Sequence, residues 1–278
     1  ALLAAGLIIG ILFVRRQLTI SNPLLDIRAL MERRTGGSIL VNFIATFTLM
    51  ASSLINTQFL QSVLGYSPFV ASLWSVAPSV VVGAAAPIAG KLSQIYGRPR
   101  VMAGGFLLSA VGFGVLTQVR LEGFSPLTLL LVGAALVAAG IVSVMTLVTD
   151  YVVGVAPADR AGAVGGLIET SNELGGAFGI ALLGCVLAAI YRHAVTPFLP
   201  SGLAPDAAQA AGQTIAGASA AALHLPADAA AQVMKASREA FITAMHATCL
   251  ISAVILLLAT AVTLVLLREQ KKAVHTAA

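Results

Sequence analysis

Glu169 and Glu173 stand four residues apart inside a stretch, 162–191, rich in glycine, alanine, leucine and isoleucine. At about 1.5 Å of rise per residue the stretch is long enough to cross a bilayer, and the i,i+4 spacing puts both carboxylates on one helix face. An acidic residue at mid-bilayer costs roughly 2.5–3.5 kcal/mol on insertion scales. Two on one stripe point to a water-accessible cavity within a helix bundle, where a carboxylate can take up a cation or a proton.

Other polar groups lie at helical spacing nearby. Asn42, Thr46, Ser53 and Asn56 follow one stripe of the window 38–61, serving either interhelical hydrogen bonds or the wall of a cavity. Trp74 and Phe178 offer either cation–π faces or plain packing and interface anchoring. Pro78 and Pro87 interrupt the window 68–90, each freeing a backbone carbonyl and marking a kink, moving or static. His246 reads as a packed neutral imidazole or a proton relay. Cys185 and Cys249 fall in apolar runs as small hydrophobes, and no spacing suggests a metal site.

The elements that must position these groups are membrane helices. The 278 residues are 58% hydrophobic and 10% charged, against about 25% charged residues in a soluble domain. Charge-poor windows at 38–61, 68–90, 101–119, 127–149, 162–191 and 240–267 each span the roughly 30 Å hydrocarbon core as a helix. Residues 1–14 offer a shorter apolar run that opens on Ala1, read as the end of a helix whose upstream part is missing. The expected architecture is all-α and membrane-integral: six complete helices after one partial one.

Basic residues set the expected orientation. Arg15, Arg16, Arg28, Arg33 and Arg34 fill the segment 15–37, Lys91, Arg98 and Arg100 fill the third loop, and Arg268, Lys271 and Lys272 follow the last helix. The positive-inside rule places these segments, and the tail 268–278, in the cytoplasm. The segment 192–238 falls outside, with two alanine-rich stretches, 205–222 and 226–240, expected as a helical hairpin or a loose loop. Net charge +5 thus reports topology, and no aromatic-basic cluster argues for nucleic acid.

Soluble-type catalytic motifs are missing: no phosphate-binding loop, no H-E-x-x-H, no G-x-S-x-G. An enzyme is not expected, no cofactor is called for, and ion-gradient-driven transport remains. Gly90, Leu92, Gly97 and Arg98 match the G-x-L-A-D-R-x-G-R signature turn of major facilitator transporters, with Gln94 and Ile95 in place of its aspartate and first arginine. Phe59-Leu60-Gln61, Leu64-Gly65-Tyr66-Ser67-Pro68, Pro157-x-Asp159-Arg160 and Leu174-Gly175-Gly176-x-x-Gly179 resemble loops and helices of the fourteen-helix drug:proton antiporters. Glu169-Thr170-Ser171-Asn172-Glu173 is similar to the branch exporting quaternary ammonium compounds and methyl viologen. The resemblance implies the C-terminal six-helix half of a major facilitator fold in a bacterial plasma membrane. It implies an N-terminal half missing here, and a lipophilic cationic drug exchanged for a proton at Glu173 and Glu169. Two other classes remain open: a carrier for a different small metabolite, and a truncated membrane fragment that transports nothing.

Overall fold

The computed structural model describes residues 2–20, 33–122, 124–155, 161–199 and 204–267. The segment 21–32, the motif residues Pro157, Asp159 and Arg160, and the tail from Arg268 lie outside them, so the cytoplasmic assignments of those loops rest on sequence. Among the described residues every regular element is helical. In chain order they are α1 (Leu2–Thr19), α2 (Arg33–Gln58), α3 (Pro68–Tyr96), α4 (Arg98–Leu116), α5 (Pro126–Val155), α6 (Ala161–Phe178), α7 (Gly184–Val195), α8 (Pro205–Gln213), α9 (Ile215–Ala222) and α10 (Ala227–Leu266). Six spans, Thr35–Val63, Pro68–Tyr96, Arg98–Leu116, Pro126–Gly154, Gly162–Phe198 and Ala227–Leu266, are long and apolar enough to cross a membrane.

Local chemistry explains where several helices begin and end. The Ser67 hydroxyl accepts from the Val70 N–H at 3.4 Å, with Pro68 in the first turn of α3, where a missing N–H costs nothing. Gly97, at φ +85°, closes α3 and opens α4, a backbone region that glycine enters without strain. Two π-helical turns, Phe59–Val63 and Gly179–Leu183, extend α2 and join α6 to α7. α3 stays helical through both Pro78 and Pro87.

Two boundaries depart from the hydropathy windows. The signature segment 90–97 is not an open turn: α3 carries on to Tyr96, leaving Gly97 as the whole link. The last helix starts at Ala227 rather than near 240, so the second alanine-rich stretch continues straight into it. Alanine favours helix without raising hydropathy enough to register as a span. The first alanine-rich stretch is split by Thr214, whose extended backbone lets its hydroxyl cap α9 by accepting from the Gly217 N–H at 3.0 Å. α8 and α9 pack on each other, and α9 packs on the first turns of α10, around buried Ala211, Ala218, Ala221 and Val233. The buried Tyr191 hydroxyl ties α8 to α7 by donating to the Ala211 carbonyl at 2.9 Å.

The core lies where α2, α4, α5 and α10 meet around fully buried Phe59, Phe106, Phe113 and Phe241. The α4–α5 crossing is made by glycine on both sides. A Cβ on Gly105 would sit 2.7 Å from the Gly140 carbonyl oxygen, and one on Gly112 would sit 2.8 Å from that of Gly133. Ser109, between them, donates to the Val137 carbonyl at 2.9 Å. α3 is peripheral: only 6% of its apolar window is buried.

Candidate functional site

α6 packs by one side and leaves the other open. A Cβ on Gly175 would lie 2.7 Å from the Phe43 carbonyl oxygen, one on Gly176 would lie 3.1 Å from Met50, and one on Gly179 would strike the Phe47 backbone. The three glycines therefore seat α6 against α2 at backbone contact distance, as small residues do between membrane helices. On the opposite side Glu169, Thr170, Glu173, Leu174, Ala177 and Phe178 are exposed. Both carboxylates thus sit on a face that no described element covers.

A polar network supports that face from behind; sequence reading picked out Asn42 and Thr46 but not their partners Asn172 and Ser171. Asn172 Oδ1 accepts from Asn42 Nδ2 at 2.7 Å and lies 3.1 Å from Thr46 Oγ1, while Asn172 Nδ2 donates to Glu169 Oε2 at 3.3 Å. The Thr46 hydroxyl is also 3.0 Å from the Asn42 carbonyl, so its single proton is shared between two acceptors. Ser171 donates to the Ile39 carbonyl at 3.1 Å, and Asn42 Nδ2 lies 3.5 Å from its hydroxyl. Because Asn42 holds the oxygen end of the Asn172 amide, the NH₂ end can face only Glu169. α2 thereby sets the position of an acid on α6. The available signal was polarity itself: Ser171 and Asn172 break an apolar run between the two glutamates.

The expected polar stripe on α2 divides in two. Asn42 and Thr46 bond across to α6, as just described. Ser53 and Asn56 instead line a cavity of about 200 Å³ between α2, α3 and α5, together with Pro78. Phe178 stands 6.2 Å from the Phe43 ring, which stacks at 6.3 Å on Phe47, an aromatic row at the edge of the acidic face. Trp74 is exposed on α3, which packs chiefly on α5, whereas α6 packs chiefly on α2. The structure therefore does not gather Trp74 with the glutamates.

In the signature segment, Arg98 lies 5.6 Å over the Tyr151 ring at the far end of α5, a cation–π contact. A Cβ on Gly90 would meet nothing within 4 Å, and Leu92 is exposed. His246 is tethered, with Nε2 2.8 Å from the Val119 carbonyl. No group of three or more His, Cys, Asp or Glu side chains that could hold a metal occurs among the described residues.

Replacing Asn172 with leucine is expected to leave the buried Asn42 amide and the Thr46 hydroxyl without their partner. At about 0.6 kcal/mol per interhelical hydrogen bond, the two bonds from α2 amount to roughly 1 kcal/mol. Thermal unfolding of the protein in detergent should then show Tm lowered by roughly 2–4 °C, and an unchanged Tm would mean that the network carries no load.

Fold and site together define a multi-pass membrane protein with one face of an acidic helix left open. The family model of the Major Facilitator Superfamily matches residues 38–204, and the chain belongs to that superfamily. It is similar to the multidrug efflux pump LfrA of Mycolicibacterium smegmatis, 35% identical over 264 residues that make up 94% of this chain and 51% of that protein. The methyl viologen resistance protein SmvA of Salmonella typhimurium is 31% identical over 98% of this chain and 54% of its own length. The multidrug resistance protein Stp of Mycobacterium tuberculosis is 33% identical over 71% of this chain and 36% of its own. The chain spans about half the length of the first two of these relatives.

Proposed function

We propose that this chain forms the cation- and proton-binding side of a proton-coupled exporter of lipophilic cations in a bacterial plasma membrane. The observation that carries the reading is the pair Glu169 and Glu173 on the uncovered face of α6, with the opposite side of that helix committed to α2. A lipophilic cation arriving from the cytoplasm meets the protonated carboxyl, favours its ionised form and displaces its proton to the cytoplasm. Protonation from the outside then releases the cation. Because both compete for the same charge, occupancy by one excludes the other, and exchange results. The relatives named for multidrug efflux and methyl viologen resistance support a cationic substrate, and their greater length supports a second helical half facing the acidic side of α6. In this arrangement the segment after α10 lies in the cytoplasm and the α8–α9 hairpin outside.

The test is transport by the intact protein in proteoliposomes, with tetraphenylphosphonium as the probe. An imposed pH gradient is expected to accelerate probe movement against its own gradient. Equal rates with and without that gradient would rule out proton exchange.

A further inference from the structure

The span Gly162–Phe198 changes partner part-way along its length. α6 packs chiefly on α2, whereas α7 packs chiefly on α10. On the α6 side, Gly175, Gly176 and Gly179 seat the helix against α2, and the bonds from Asn172 to Asn42 and Thr46 and from Ser171 to Ile39 fasten it there. On the α7 side, Leu187, Tyr191 and Val195 are buried, and the Tyr191 hydroxyl is held by the Ala211 carbonyl. Each half is fixed, but to a different neighbour.

The change of partner falls at the π-helical turn Gly179–Leu183, which starts six residues and about 9 Å beyond Glu173. A π-turn holds one residue more than the α-turn it replaces, and such turns are among the few places where a helix bends sharply. Glycine stands at both edges of this one. Gly179 opens it, and Gly184 follows it, where a Cβ would have only the Leu54 Cδ2, the end of a flexible side chain, at 3.3 Å. Ile180, Ala181 and Leu182 between them are exposed, so that side of the turn has room to open and close. The π-turn Phe59–Val63 differs on both counts: its Phe59, Leu60 and Val63 are buried, and it ends a span instead of interrupting one.

We infer that the turn Gly179–Leu183 is a hinge. It lets α6 change tilt together with α2, carrying Glu169 and Glu173, while α7 stays on α10 and on the α8–α9 hairpin. In an uninterrupted α-helix the same tilt would tear either the contact with α2 or the contact with α10. The inference rests on the proposed export for its purpose, whereas the bending itself can be read without any transport.

The test follows hydrogen exchange along the span in the intact protein in lipid nanodiscs. Amides 180–185 are expected to exchange faster than those of the turns on either side. Gly184→Ala is expected to slow them about fivefold, the difference in helix preference between glycine and alanine. Gly165→Ala, on the same span and with nothing within 4 Å of its added Cβ, should leave them unchanged. Deleting Ala181 restores α-helical bonding while α6 and α7 keep their faces. That variant is expected to exchange evenly along the span and to lose most of its proton-driven tetraphenylphosphonium rate with its affinity for the probe retained. Even exchange along the parent span, or a folded deletion variant that transports at the parent rate, overturns the hinge. Exchange insensitive to Gly184→Ala overturns it as well, whether or not the deletion variant folds. Fast, Gly184-dependent exchange in a protein that moves no tetraphenylphosphonium under a proton gradient would sink the exporter reading and leave the hinge standing.

Discussion

Glu173→Gln is expected to bring proton-driven movement of a lipophilic cation close to background, whereas Glu169→Gln leaves a measurable fraction. Glutamine keeps the shape and the hydrogen-bonding oxygen of glutamate and removes only the charge, so the variant isolates electrostatics from packing. A unit charge about 4 Å from a bound cation is worth roughly 1 kcal/mol through water and roughly 4 kcal/mol at an effective dielectric of 20. A cation held between two protein walls falls toward the second figure, a loss in affinity of about a hundredfold or more. The two acids differ in their surroundings. Asn172 donates to Glu169, and an amide at that position still presents an oxygen to it, so part of the local arrangement survives. Glu173 makes no such bond among the described residues, so the proposed role rests on its charge alone. The measurement is the initial rate of tetraphenylphosphonium transport under a fixed pH gradient, normalised to protein in the membrane. Equal retention of rate in the two variants would remove Glu173 from the coupling step.

The acids were legible in the sequence because cost made them so: a carboxylate in an apolar run is expensive, and its presence signals use. Hydropathy likewise carried the six spans, since roughly twenty apolar residues are a direct imprint of bilayer thickness. The supporting chemistry was not legible, for a reason of distance. Asn42 and Asn172 are separated by 130 residues, and nothing in either segment names the other. The first turns of α10 were hidden differently. Ala227 through Ala240 form helix by alanine propensity and by packing Val233 against α8 and α9, and a hydropathy window registers neither. Arg98 shows a third case. Its place in the signature turn was readable, but its partner Tyr151 lies near the end of the next helix, 53 residues on in the chain.

The α4–α5 crossing gives the largest structural effect, and adjacent glycines are expected to behave in opposite ways. On α4, a Cβ at Gly112 would lie 2.7 Å from the Val137 nitrogen and 2.8 Å from the Gly133 carbonyl oxygen, both backbone atoms that cannot rotate aside. A Cβ at Gly105 meets the Gly140 carbonyl oxygen at 2.7 Å. By contrast Gly104 and Gly114 face open space, with nothing within 4 Å. Gly112→Leu must therefore push α4 and α5 apart along their whole contact, breaking the 2.9 Å bond from Ser109 to Val137 and loosening Phe106 and Phe113 in the core. Overpacking costs typically 1–3 kcal/mol and more where backbone must move, so a loss of about 3 kcal/mol and a fall in Tm of roughly 6–12 °C are expected. Gly114→Leu changes only intrinsic helix preference and surface, at most about 1 kcal/mol in either direction. The same contrast holds between Gly105→Leu and Gly104→Leu, neighbours in sequence about 100° apart around the helix, of which only Gly105 meets α5. Thermal unfolding of the four variants in detergent reads the difference directly. Similar shifts in all four would show that glycine matters here through the flexibility of α4 and not through the closeness of α5.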